Sequence, residues 1–475
     1  MGWGVGLGTT ATVRPRRPGG PRGGTTLTAM ADAPSAPPAA PPDPLQLLRD
    51  RRYVVVLILG AIIGVPVATV AYFFLEGVAR SQTYLFQTLP DDLGFDGQPA
   101  WWPTPLLVIG GLVVGLTIRH LPGTAGHKPA EGLKTGGAVQ PIELPGIAIA
   151  AFATLVCGAV LGPEAPLIAI GSGLGVLAVH LFKRDAPEMA VLVIGGAGSF
   201  AAISTLFGSP LAAAFLLMEA SGLGGAMMSA VLVPGLLAAG VGALIYVGLD
   251  DWTGFGTFSL GLGQIPSASS PTFAEFLWAI AIGVLAAILG TLISRGAMWF
   301  QPIIERRMVL LTPVAGLAMG ICVWVFVTTT DEPSEFVLFS GQDQLGPLLQ
   351  GAAGWSVGSL IVLGLCKSVA YGAALSCYRG GPVFPGMFIG AVGGIALSHL
   401  PGLPMIAGAG MGIGAMTVSM LRLPLVSVLL AAVFLASDAA QLMPTIIVAV
   451  AVAYVVRARL DPAPTPTTAP APSTA

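Results

Sequence analysis

Between residues 54 and 457 the chain alternates long apolar runs with short polar breaks. The runs occupy 54–75, 103–118, 146–161, 164–182, 189–206, 209–221, 228–249, 273–294, 309–329, 355–377, 385–399, 404–420, 423–437 and 442–457. Runs of this length predict helices, yet several fall short of the roughly 20 residues that a helix needs to cross a bilayer. The pattern therefore predicts an all-α, polytopic membrane protein in which tilted helices and half-helices meet inside the bilayer.

Composition agrees. The 475 residues are 54% hydrophobic and 9% charged, with a mean hydropathy of +0.84, whereas a soluble domain carries about 25% charged residues. The 65 glycines suit helices that pack closely through small residues. A net charge of −2 without a basic stripe argues against nucleic acid. Cys157, Cys322, Cys366 and Cys377 lie in apolar runs without metal-ligand spacing and read as small buried hydrophobes; no metal or cofactor is expected. Residues 1–48, rich in Pro, Gly, Ala and Thr with Arg14, Arg16, Arg17 and Arg22, read as a disordered tail within which Met30 is a second candidate start. Residues 461–475 read as a second tail with no regulatory domain after it, which leaves 49–460 as the membrane domain.

Charge between the runs sets an orientation. Arg49, Arg51 and Arg52 precede the first run, Arg119, His120, His127, Lys128 and Lys134 follow the second, and Arg306–Arg307 and Arg457 with Arg459 fall at later breaks. Acidic breaks alternate with these: Asp91, Asp92 and Asp96, then Asp250–Asp251, then Asp331, Glu332, Glu335 and Asp343. The positive-inside rule places both termini in the cytoplasm, in a multi-pass protein of the cell membrane.

The stretch that carries candidate chemistry is Cys157–Gly175, CGAVLGPEAPLIAIGSGLG. Its one carboxylate, Glu164, sits between Pro163 and Pro166. An ionisable group at mid-bilayer costs roughly 2.5–3.5 kcal/mol, so it should face protein or a water-filled path. Broken backbone at that depth is tolerated only where it is buried in protein or lines a cavity. Glu164 is thus a candidate ion or substrate site.

An internal repeat supports this. Gly195–Gly198 leads to Ser209-Pro210-Leu211, and Gly408-Ala409-Gly410 leads in the same manner to Leu423-Pro424-Leu425. A proline-broken glycine turn precedes each, at Gly162–Pro166 and Gly380–Gly386. Two repeats, about 103–250 and 273–457, would place a site at their interface. Half-helix N-termini aimed there offer free N–H groups and a positive dipole end, which suits an anion.

These motifs resemble those of the CLC chloride channel and proton/chloride exchanger family. Gly162-Pro163-Glu164-Ala165-Pro166 is similar to its GREGP motif, Gly381-Pro382-Val383-Phe384-Pro385 to GxFxP, and Gly126-His127-Lys128-Pro129 more loosely to its GSGIP loop. The resemblance covers roughly 54–457. It implies an inverted repeat of tilted and broken helices and a homodimer in the lipid bilayer with one anion path per subunit, chloride being the expected ion. Glu164 would be the gating glutamate, competing with the anion and moving aside when protonated. The amides of Ala165, Val383 and Phe384, with Thr124 and Gly126 of the GSGIP-like loop, would line the anion.

The departures bear on mechanism. Pro163 replaces the family's basic residue, and Pro382 lacks an N–H. The family serine falls at Ala125 or Gly126, with Thr124 the nearest hydroxyl, and the late tyrosine falls near Ala440. The inner proton glutamate falls at Ala220, so Glu219, one helical position away, is the candidate second proton station or else a structural acid. Arg379 could supply a positive field, but snorkelling to the interface is the favoured expectation. A channel gated by a protonatable glutamate ranks first, a proton-coupled anion exchanger second, and a membrane-embedded enzyme a distant third, since no HExxH or Ser/His constellation is present.

Overall fold

A computed structural model describes residues 51–133, 135, 137–256, 270–435 and 439–461, all of which fall in one compact unit. The tail expected at 1–48, and all of the tail expected at 461–475 except Asp461, lie outside them. Fourteen principal helices follow in two sets of seven. The first set is α1 (Arg51–Thr83), α2 (Pro103–His120), α3 (Leu144–Val156), α4 (Glu164–Phe182), α5 (Glu188–Phe207), α6 (Pro210–Ser221) and α7 (Gly225–Thr253). The second is α8 (Phe273–Glu305), α9 (Met308–Thr330), α10 (Val357–Cys377), α11 (Val383–Leu397), α12 (Met405–Leu421), α13 (Pro424–Leu435) and α14 (Ala439–Leu460).

The packing repeats as well as the order. α4 packs on α5 as α11 does on α12, α1 on α7 as α8 on α14, and α5 on α7 as α12 on α14. The first half thus begins at α1, the counterpart of α8, rather than near residue 103. Both closest pairs meet backbone to backbone: a methyl at Gly198 would fall on the Gly171 carbonyl, and one at Gly412 on the Gly390 carbonyl. Lipid tails are as apolar as leucine, so such close van der Waals approach is what holds helices together in a membrane. The middle helices α2 and α9 join the halves, packing across Gly111 and Gly316, with the Tyr378 hydroxyl donating to the Leu107 carbonyl at 2.6 Å between them.

Among the described residues nine helices are long and apolar enough to cross a membrane. α1 and α8, at 33 residues each, would extend about 50 Å at 1.5 Å per residue, so they must tilt to keep their apolar length in a bilayer. α3, α6 and α13 have 13, 12 and 12 residues and cannot cross.

Several boundaries differ from the apolar pattern, α1 for one running on to Thr83 where the run ends at 75. The run 146–161 stops being helical at Val156, because Gly158 takes φ +89° and its carbonyl accepts the Phe339 amide at 3.1 Å. The run 273–294 continues to Glu305, because Arg295 stays helical and donates through Nη2 to the Leu460 carbonyl.

Candidate functional site

Glu164 is the first residue of α4 and is fully buried. The loop before it, Cys157–Pro163, meets the loop before α11 in a two-residue bridge. The Gly162 amide donates to the Gly381 carbonyl at 2.8 Å and the Gly381 amide to the Gly162 carbonyl at 2.6 Å. The two repeat motifs are therefore in direct contact, and both helix N-termini converge on one carboxylate. The Phe384 amide donates to Glu164 Oε1 at 3.0 Å. Oε2 is buried and meets no hydrogen-bond partner among the described residues. A Cβ on Gly162 or on Gly381 would fall on the Glu164 carboxylate, so the two glycines make its seat. No arginine or lysine pairs with it among the described residues; amide donors and helix dipoles alone face the charge.

Aromatic packing holds this seat. The Phe384 ring lies edge-on to Phe207 and Phe434, with centroids 6.0 and 6.3 Å away. The Tyr371 hydroxyl donates to the Pro382 carbonyl at 2.7 Å, pinning the loop whose next two residues begin α11.

On one side of Glu164, Ala165 lines a small cavity of about 20 Å³ with Gly126, Ala125, Gly380 and Arg379. Arg379 also lines a vestibule of about 670 Å³ together with Arg119, Lys128, Arg306, Arg307 and Thr124. Glu305 is the one acid in that lining, and it pairs with Lys128 at 2.6 Å. Five cations against one carboxylate attract anions, and low-dielectric walls strengthen the field. On the other side, Pro163 lines a cavity of about 70 Å³ with Gln82, Leu206, Phe339, Gln342 and Asp343. The two chain neighbours of Glu164 thus line different cavities, and Arg379 links the first of these to the basic vestibule.

The residues expected from the sequence divide between these places. Val383 and Phe384 lie at the carboxylate, at the start of α11. Ala165 and Gly126 line the small cavity. Thr124, at φ +50°, offers its carbonyl, which accepts from Arg379 Nε and Nη2 at 3.2 Å each. Arg379 does not snorkel, contrary to the favoured expectation. It is 4% exposed, and its Nη1 donates to the carbonyls of Cys377 and Tyr378 at 3.4 and 3.1 Å. The turn at Thr124 provides acceptors inside the protein, so the guanidinium need not reach the interface. The Glu219 carboxylate accepts the amides of Leu425 and Val426 at 3.0 and 2.7 Å, capping the start of α13, and lines neither the vestibule nor the small cavity.

Sequence reasoning passed over Lys367. It is fully buried in α10, donates through Nζ to the carbonyls of Phe336, Val337 and Leu338 at 2.9, 3.2 and 3.0 Å, and lies 4.4 Å from the centre of the Phe388 ring. That clamp fixes the segment ending in Phe339, which walls the cavity beyond Pro163. The signal was available: one lysine inside the apolar run 355–377. Lys367→Met leaves these carbonyls without a donor and should cost on the order of 3 kcal/mol, read as a lower midpoint of thermal unfolding in detergent.

A buried carboxylate at the meeting of two helix N-termini, with a cation-lined vestibule reached through Arg379, makes this the candidate transport site. The chain belongs to the voltage gated chloride channel family, whose model matches residues 110–458. A relative from Escherichia fergusonii named "Putative ion-transport protein YfeO" is 29% identical over 352 residues, 72% of this chain and 79% of its own. The protein of that name from Salmonella newport is 30% identical over 356 residues, 72% of this chain and 80% of its own. Among solved structures, a slow cyanobacterial Cl-/H+ antiporter superposes with TM-score 0.67 at 20% identity, covering 86% of this chain and 95% of that one. A CLC-type fluoride/proton antiporter gives TM-score 0.63 at 20% identity, covering 85% and 95%. These likenesses establish the CLC fold, and with it the inverted repeat of broken helices.

Proposed function

We propose that the protein is an anion channel of CLC type, conducting chloride or a similar inorganic anion past Glu164 when that carboxylate is protonated. One observation carries the reading: the Glu164 carboxylate takes the Phe384 amide at the meeting of two helix N-termini, the place a permeant anion would need. A charged carboxylate there plugs the path; a protonated one no longer competes for the amide and can swing away. On the basic-loop orientation the vestibule of Arg119, Arg306 and Arg307 faces the cytoplasm, as do both termini, in the cell membrane. We take the working unit to be a homodimer in lipid with one path per subunit.

The second reading is a proton-coupled anion exchanger. The two structural neighbours, a Cl-/H+ antiporter and a fluoride/proton antiporter, favour it. Against it, Ala220 carries no proton, and both oxygens of Glu219 are engaged in capping α13. Flux from liposomes of purified protein separates the two: a chloride gradient that drives protons uphill means exchange, and chloride efflux without proton movement means a channel. Glu219→Ala removes a helix cap, costing about 1 kcal/mol of stability. It should leave the ratio of protons to anions unchanged; a lost proton flux with intact anion flux would make Glu219 a proton station.

A further inference from the structure

A cavity of about 320 Å³ lies at the ends of α12 and α14, reaching Pro129 of the GSGIP-like loop but not Glu164 itself. Arg457, Arg422, Ser294, Glu131, Leu375 and Pro382 are among the residues that line it. Arg457, on the last turn of α14, is 2% exposed. Its Nη2 lies 3.6 Å from Asp461 Oδ1, beyond a good hydrogen bond. Its Nε and Nη1 are buried and meet no partner among the described residues. Arg422, held at φ +60° where α12 ends, reaches the other oxygen of Asp461 at 3.0 Å. Among the described residues the buried hydroxyl of Ser294 donates to the sulfur of Met420, a weak acceptor 3.8 Å away.

A helix C-terminus explains a cation at this position. It does not explain two buried guanidinium nitrogens without acceptors, since buried polar groups are almost always paired and a buried charge left uncompensated is costly. The donors of Arg457, Arg422 and Ser294 approach one space from different helices. A ligand with several acceptor oxygens meets such donors together, whereas a spherical halide meets fewer and fills little of the volume. We propose that this cavity is a second anion site, distinct from the seat of Glu164, and that it takes a phosphate group.

The group could arrive as inorganic phosphate or on a lipid, and the test separates these sources. Full-length protein, stripped of lipid in maltoside detergent, is unfolded thermally against inorganic phosphate, against phosphatidic acid, and against sodium chloride at equal ionic strength. Phosphate in one or both forms should raise the midpoint above the chloride control. Arg457→Gln, and separately Ser294→Leu, which fills the cavity and keeps the arginine, should weaken the apparent affinity by at least about tenfold. Glu164→Gln should leave the response intact, so the outcome does not depend on the transport reading. A shift with phosphatidic acid alone assigns a lipid headgroup. Equal responses in wild type and both cavity variants, or none in any, overturn the site. Should Arg457→Gln fail to fold, selenate bound to crystals of the wild-type protein decides: an anomalous peak beside Arg457 supports the site, and its absence sinks it.

Discussion

Replacing Glu164 by Gln is expected to make anion flux independent of pH and to hold it, at neutral pH, at the level the wild-type protein reaches only in acid. The sign follows from the charge. Ionised, the carboxylate keeps the Phe384 amide and repels an incoming anion; protonated, it does neither. Above its own pKa the protonated fraction of a carboxyl falls about tenfold per pH unit, so wild-type flux should fall with that slope while the variant stays flat. Glutamine keeps the shape of the side chain and still accepts from the amide, so the seat between Gly162 and Gly381 is preserved. Chloride efflux from liposomes, followed with an electrode across a pH series, reads both traces. If the variant keeps the wild-type slope, the gate lies elsewhere.

The second large effect is expected at Arg379, the buried cation that lines both the vestibule and the small cavity beside Ala165. An anion passing at about 6 Å gains about 3 kcal/mol from it at an effective dielectric near 20, so Arg379→Met should lower anion flux about a hundredfold. That substitution also leaves the carbonyls of Thr124, Cys377 and Tyr378 without a donor, at about 1–3 kcal/mol for each buried group left unmet. Arg379→Lys separates the two effects: it keeps the charge and gives up part of the hydrogen bonding. Flux that recovers with lysine while thermal stability stays low assigns the role to charge. Flux that stays at the methionine level in a well-folded lysine variant would show that the arginine only braces the turn. The arginine would then stand in for the hydroxyl that Ala125 and Gly126 do not provide.

Much of this architecture was legible in the chain. The runs 164–182, 189–206 and 209–221 match α4, α5 and α6 to within a residue. A long apolar run that must satisfy its own backbone in lipid has little choice but a helix. Glu164 stood out because a carboxylate between prolines in such a run is costly without a purpose. The paired glycine turns pointed to a repeat, though hydropathy cut its first half short by leaving α1 unpaired with α8.

What hydropathy could not tell was where each polar group would find its partner. Arg379 read as a snorkelling residue because sequence shows the nearest helix end, while its acceptors are supplied by the turn at Thr124, 255 residues away. Glu219 read equally as a proton carrier or a structural acid until the start of α13, more than 200 residues on, delivered two amides to it. Lys367 passed for part of an apolar run because its carbonyl partners lie in a different segment.

By itself, then, the sequence determined the membrane setting, the helices, their breakage at proline and glycine, and the one acid at the deepest break. Only the tertiary structure decided that the breaks at Gly162 and Gly381 touch, and that Phe384 rather than a cation holds Glu164. It also decided that Arg379 lines both the cationic vestibule and the small cavity beside Ala165. The reason is physical: apolar burial follows composition residue by residue, whereas a buried hydrogen bond needs two particular groups brought within 3 Å, and that depends on how the two halves pack.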